Sequence, residues 1–171
     1  LEPIFWIYTV FTFFCTAGFV NFSTIGYHLK AGGLMSDANI TLLYSLAMLV
    51  DAVAAIIVGK AYDRLKEKTG KKTGGILVLA VIPLMTIALP LLTLSDSTIL
   101  IGTGVVFFGI VMGTHETIMR SAIADITPYR KRGTGYGIFN SVYGLALLVG
   151  SALMGLFYDM KSTQLIIAFT V

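Results

Sequence analysis

The residues best placed to do chemistry in this sequence are a few charged and polar side chains set among apolar ones. His115, Glu116 and Arg120 fall in one long apolar stretch, and Asp51 stands alone in another. A carboxylate inside a hydrocarbon layer costs on the order of 2.5 to 3.5 kcal/mol on insertion scales, so it has to face protein or water and is a functional candidate by default. Glu116 and Arg120 are four residues apart with the acid first, the order in which an ion pair along a helix offsets part of the cost of burying both groups. A carboxyl so held can take up a proton when its Arg is drawn away and give it back when the Arg returns. The bland alternative is that Arg120 reaches out to the headgroups and Glu116 follows it. The His115-Glu116 pair invites comparison with zinc proteases, but their helix needs a second His four residues after the first, and that position is Met119. His28 is far away in sequence and there is no Cys or His cluster, so no metal site and no cofactor is expected.

Asp51 differs from Glu116 in its company. Ala47, Asp51, Ala55 and Gly59 recur at steps of four, a stripe of small residues on which another backbone can come close. At 1.5 Å per residue, Asp51 is about 12 Å from Gly59, deep in the span, and either a hydrogen bond across a helix pair or a functional role would account for it. Gly102, Gly109, Gly113, Glu116 and Arg120 share another helix face, with His115 beside it, and a Gly-lined face ending in a charge pair suits a water-filled vestibule. Thr9, Thr12, Thr16, Ser23 and Tyr27 fall on one face of the first span, where they line a cavity or bond their own backbone carbonyls. Asn140 is the polar residue of a late helix carrying Gly133, Gly137, Ser141, Gly144, Ser151 and Gly155, which should pack against protein.

Composition dictates the elements that position these residues. Hydrophobic residues make up 56% of the chain and charged residues 12%, and the mean hydropathy is +0.86, the profile of an all-α integral membrane protein. A helix needs about 20 apolar residues to cross a hydrocarbon core. Five spans qualify, at about 4–28, 38–59, 74–94, 98–123 and 133–158, and a sixth begins at 163–171. Runs this long lack the alternation of a membrane barrel. The third, with Pro83 and Pro90, offers little to a cavity and reads as lipid-facing.

Charge sets the sides. The loop Gly59 to Lys72 holds six of the twelve Lys and Arg residues, and Arg120, Arg130, Lys131 and Arg132 lie on the same side, leaving Lys30 and Lys161 opposite. Short basic loops stay in the cytoplasm, which predicts a multi-pass protein of the cell (inner) membrane with a cytoplasmic N-terminus for this chain. Topology thus accounts for the net charge of +3, and no nucleic-acid partner is expected. The single Cys15 allows no disulfide within the chain. The chain begins on Leu1 and ends in a fresh apolar run, and reads as part of a longer protein.

The basic loop has a recognisable form. Gly59-Lys60-Ala61-Tyr62-Asp63-Arg64, followed by Gly70-Lys71-Lys72, resembles the cytoplasmic loop of the major facilitator superfamily, with four extra residues, 66–69, before the second Gly. Asp125-Ile126-Thr127-Pro128-Tyr129-Arg130-Lys131-Arg132-Gly133 is similar to another loop of that family, and Gly133 to Asp159 resembles the eleventh helix of prokaryotic permeases within it. The resemblance implies the C-terminal six-helix half, with five full helices and the start of a sixth over residues 1–171. It implies that the first and fourth helices line the substrate cavity, the second and fifth flank the N-terminal half, and the third and sixth meet lipid. It also implies a cytoplasmic gate of Gly59, Asp63, Arg64, Asp125, Arg132 and Gly133, with Arg64 pairing with Asp125.

The function expected is solute transport by alternating access, proton-coupled through Glu116. Arg120, His115, Asp51, Asn140 and Thr16 are the other candidates for substrate or proton coupling. The expected partners are the lipid bilayer, the N-terminal half and a small-molecule solute. A membrane receptor or scaffold on a transporter fold and an intramembrane enzyme are the alternatives.

Overall fold

The computed structural model describes residues 1–70 and 81–170. Lys71, Lys72 and the first part of the expected third helix lie outside the described residues. Among these the elements are α1 (Pro3–Ala17), α2 (Phe22–Ala31), α3 (Asp37–Thr69), α4 (Val81–Thr93), α5 (Thr98–Ile126), a 3-10 turn at Tyr129–Lys131, α6 (Arg132–Asp159) and α7 (Thr163–Thr170). Among the described residues, Pro3–Ala31, Asp37–Thr69, Thr98–Ile126 and Tyr129–Asp159 are long and apolar enough to cross a membrane. Leu42, Leu49 and Ile56 of α3 and Leu148 of α6 are all more than 60% exposed, a surface suited to lipid or to a further protein and not to water.

Helix α5 is the centre of the bundle. It packs along α3 and also against α4, α6 and α1, while α1 lies mainly on α6. Its glycines explain why α3 comes so near. A Cβ at Gly109 would sit 2.5 Å from the Ala47 carbonyl oxygen, and one at Gly113 the same distance from that of Asp51, so any larger residue would drive the helices apart. Thr117 then meets Gly59. The stripe Ala47, Asp51, Ala55, Gly59 therefore mates with α5 of the same chain.

Two departures from the expected spans have local causes. The first span, expected as one helix over 4–28, is two. Asn21 ends the break by capping α2, its Oδ1 accepting from Thr24 N–H at 3.2 Å, and its Nδ2 donates to Ser151 Oγ on α6. Ahead of it, the Ala17-Gly18 backbone is pressed between Gly150 of α6 and Phe169 of α7. The second departure is α3, which runs on as helix through the expected loop. Residues 60–69 contain neither Gly nor Pro and are rich in helix formers, so nothing stops the helix until Gly70, whose φ of 60° places it in the left-handed region.

The core is layered. One apolar cluster gathers Phe19, Ile25, Leu29, Ile101, Val105 and Phe108, and a second gathers Phe5, Tyr8, Tyr62, Ile118, Met119 and Phe139. Between them in register along α1 and α5 come Thr12, Thr16, Thr114 and His115, all buried. A polar layer at mid-span is costly unless it has a use or a partner.

Candidate functional site

Four elements converge near the middle of the spanning stretches of the described residues. Phe19, Asn21, Phe22 and Ser23 come from the broken first span, Tyr44 and Met48 from α3, Phe108 and Met112 from α5, and Leu147 and Ser151 from α6. Together they line a cavity of about 520 Å³. The break after Ala17 lets the Phe19–Ser23 segment turn backbone and side chains into the space, and Asn21 fastens it by its bond to Ser151. Ser151 Oγ in turn donates to the Leu147 carbonyl at 2.6 Å, so these polar groups are already occupied with one another.

The charges stand one turn along. Glu116 follows Met112 by four residues on α5, and Asp51 follows Met48 by three on α3, so both carboxyls continue the lined faces toward the basic end of the bundle. Arg120 Nη2 lies 3.6 Å from Glu116 Oε2, with side-chain exposures of 57% and 34%, so the pair sits at the mouth of the seam and not in the core. Asp51 is within electrostatic reach of Glu116, and Tyr143 of α6 is within reach of both. A Cβ at Gly113 would stand 2.9 Å from Asp51 Oδ1, which fixes that carboxyl against α5. Two tyrosines steady the same turn of α5. Tyr8 donates to the Met119 carbonyl at 3.2 Å and Tyr136 to that of Arg120 at 3.1 Å.

The expected Gly-lined vestibule needs correction. Gly109 and Gly113 do share a face with Glu116 and Arg120, but α3 fills it because glycines admit a helix as readily as water. His115 lies apart from that face, fully buried, its ring stacked on Phe19 at 5.4 Å and 10° and its centroid 6.0 Å from that of Tyr143. Neither ring nitrogen of His115 has a hydrogen-bond partner among the described residues, and Thr16 Oγ1 has none there either. Asn140 is exposed on α6, away from the cavity lining, and Gly133, Gly137 and Gly144 of that helix have nothing within 4 Å of an added Cβ. The structure thus brings together Asp51, Glu116 and Arg120, sets His115 and Thr16 in the buried layer behind Phe19, and leaves Asn140 outside.

At the basic end, Asp125 has different partners from those expected. Lys66 Nζ forms its ion pair, and Tyr62 donates to it at 3.0 Å. Because α3 stays helical here, Tyr62 and Lys66 share the α5-facing side four residues apart, whereas Asp63 and Arg64 point outward and are exposed. Arg64 is therefore not the cation on Asp125. Lys66, Asp125, Thr127, Tyr129 and Arg132 line a second cavity of about 620 Å³, with the Arg132 guanidinium 5.5 Å from the Tyr129 ring centroid. Gly59 and Gly133 flank this region, the first against Thr117 and the second in the open.

Of the cavity lining, the sequence analysis singles out Ser23 and Ser151 and none of the apolar residues. Phe19, Phe22, Tyr44, Met48, Phe108 and Met112 are ordinary residues of apolar helices, and only Asn21, polar in a Phe-rich run, signalled the break.

A family model described as the Major Facilitator Superfamily matches residues 1–151. An uncharacterized protein of Mycobacterium bovis and one of Mycobacterium tuberculosis are each 31% identical to this chain over 167 residues, 98% of the chain and 39% of the relative. The tetracycline resistance protein, class H, of Pasteurella multocida is 27% identical over 130 residues, 75% of the chain and 31% of that protein. The chain thus spans well under half the length of these relatives. No solved structure matches it.

Proposed function

The chain belongs to the major facilitator superfamily, and from that premise we propose that it is the C-terminal half of a secondary transporter that moves a small solute by alternating access, coupled to protons. The observation that carries this reading is the 520 Å³ cavity at mid-span with Glu116 and Asp51 one turn away. A solute site at the depth of the bilayer centre, reached from either side in turn, is what alternating access needs. The tetracycline resistance relative supports transport in the same sense.

In this reading the basic end lies in the cytoplasm, since Lys and Arg crowd there. The N-terminal half closes the open side of the cavity and covers the exposed small-residue face of α6, Gly133, Gly137, Ser141 and Gly144. Glu116 carries the coupled proton. Its ion pair with Arg120 is long enough, at 3.6 Å, to be given up when solute or an access change draws the guanidinium aside. Asp51 is the poorer bearer because the α3–α5 contact fixes it. Asp63 and Arg64, exposed on the outer side of α3, dock on the N-terminal half in one access state, while Lys66 and Tyr62 hold Asp125 within this half.

The full-length protein in proteoliposomes, given a proton gradient imposed in each direction in turn and a library of metabolites and drugs, should accumulate at least one solute under one of the two gradients and lose it on addition of a protonophore. Glu116→Gln should retain exchange of that solute and lose accumulation. Accumulation by the variant equal to wild type would move the coupling role to another carboxyl. Solute binding without flux in any arm would replace transport by a receptor role.

A further inference from the structure

We infer that the mid-span cavity takes a lipophilic organic cation bearing aromatic rings, as against a sugar, a carboxylate or another anion. The inference concerns the same cavity as the transport reading, but it is a statement about what binds and is tested as binding.

Three observations carry it. The first is the wall. The Phe22 ring stands 4.9 Å from Tyr44 and 5.9 Å from Phe108, and Phe108 stacks on Phe19 at 5.5 Å, so rings from three elements enclose one side. Aromatic faces attract a cation and repel an anion, because the ring quadrupole is negative on its face. Met48 and Met112 complete the wall with side chains that repack around differently shaped apolar groups. The second is the scarcity of free polar groups. Asn21 and Ser151 are bonded to each other and to local backbone, which leaves Ser23 and the Tyr44 hydroxyl to meet a ligand. A polyol would lose its hydration to a cavity that could not replace it. The third is the sign of the nearby charge. Asp51 and Glu116 continue the lined faces, and among the described residues Arg120 is the cation beside them, so their local balance is one negative charge. His115 and Tyr143 are the other titratable groups there, the imidazole standing behind Phe19 and the phenol beside Glu116. A volume of about 520 Å³ from this half alone is within the range of ligand pockets, roughly 300 to 1,000 Å³.

Two probes of one shape and opposite charge, tetraphenylphosphonium and tetraphenylborate, separate charge from size. Radiolabelled tetraphenylphosphonium should bind the full-length protein in nanodiscs saturably, and tetraphenylborate should not displace it. Phe22→Leu and Tyr44→Leu should each weaken that binding by at least about fivefold, Tyr44→Phe should keep it, and Glu116→Gln should weaken it as well. Monodispersity and melting temperature, checked for every variant, identify one that has merely misfolded. Should Glu116→Gln misfold, the two aromatic variants still decide. Borate bound as tightly as phosphonium, or phosphonium binding indifferent to Phe22→Leu and Tyr44→Leu, would overturn the inference. Accumulation of some other solute untouched by phosphonium would do the same while leaving transport standing. Phosphonium binding with the expected dependence but no flux would leave the inference standing and remove transport.

Discussion

Gly113 of α5 and Asp51 of α3 touch through backbone: a Cβ at Gly113 would lie 2.5 Å from the Asp51 carbonyl oxygen and 2.9 Å from its Oδ1. The carboxyl that looked from its sequence setting like a rival proton carrier is thereby part of a helix seam, and the glycine that looked like cavity wall is what makes the seam possible.

Enlarging that glycine should separate the helices. Gly113→Val is expected to destabilise by about 1 to 3 kcal/mol or more, since backbone atoms cannot move aside as a side-chain tip can. Gly102→Ala, with nothing within 4 Å of the new methyl, should stay within about 0.5 kcal/mol of wild type. Melting temperatures of the purified proteins in detergent check both, and equal effects would dissolve the distinction.

Lys66, and not Arg64, should matter to Asp125. The Asp125 side chain is 11% exposed, so removing its cation leaves a mostly buried carboxylate short of a partner. Lys66→Met is expected to cost on the order of 1 to 3 kcal/mol, with Arg64→Met near neutral for stability. If Arg64 carries a gate contact with the N-terminal half, its variant should instead change the labelling rate of cysteines placed on the α3–α6 side of the bundle.

Asn21 should control the break in the first span. Asn21→Ala removes the α2 cap and the bond to Ser151 together, a loss of about 1 kcal/mol from the cap alone. Hydrogen exchange at the amides of Thr24 and Ile25 should quicken while that of α5 is unchanged. Unaltered exchange at α2 would mean that packing of the Gly18 region holds the segment without the cap.

His115 should trade stability against function. Both ring nitrogens are buried without a partner among the described residues. An apolar ring of similar shape relieves that cost, so His115→Phe is expected to raise stability by about 1 kcal/mol. If the polar layer serves transport, the same variant should slow solute flux. A lower melting temperature would instead show that ordered water satisfies the imidazole in the native protein.

Much was legible in the residues because a bilayer leaves a chain few choices. Backbone groups in hydrocarbon must bond within their own segment, so long uncharged runs are helices. The step-of-four stripe on α3 was readable for the same reason, since helix periodicity puts Ala47, Asp51, Ala55 and Gly59 on one face whatever packs there. The Glu116–Arg120 pair, a contact within one helix, needed no tertiary information and forms at 3.6 Å.

Everything that depended on which face meets which neighbour was decided by the tertiary structure. Sequence spacing could not tell that the α5 glycines admit α3 instead of water, because a missing side chain fits either. It could not separate Lys66 from Arg64 as the partner of Asp125, since only a helix continuous through residues 60–69 turns Tyr62 and Lys66 inward together. The aromatic cavity was least visible of all. Phe, Tyr and Met are what any membrane helix uses to fill space, and it took the break at Gly18 to Asn21 to bring Phe22 against Tyr44 and Phe108.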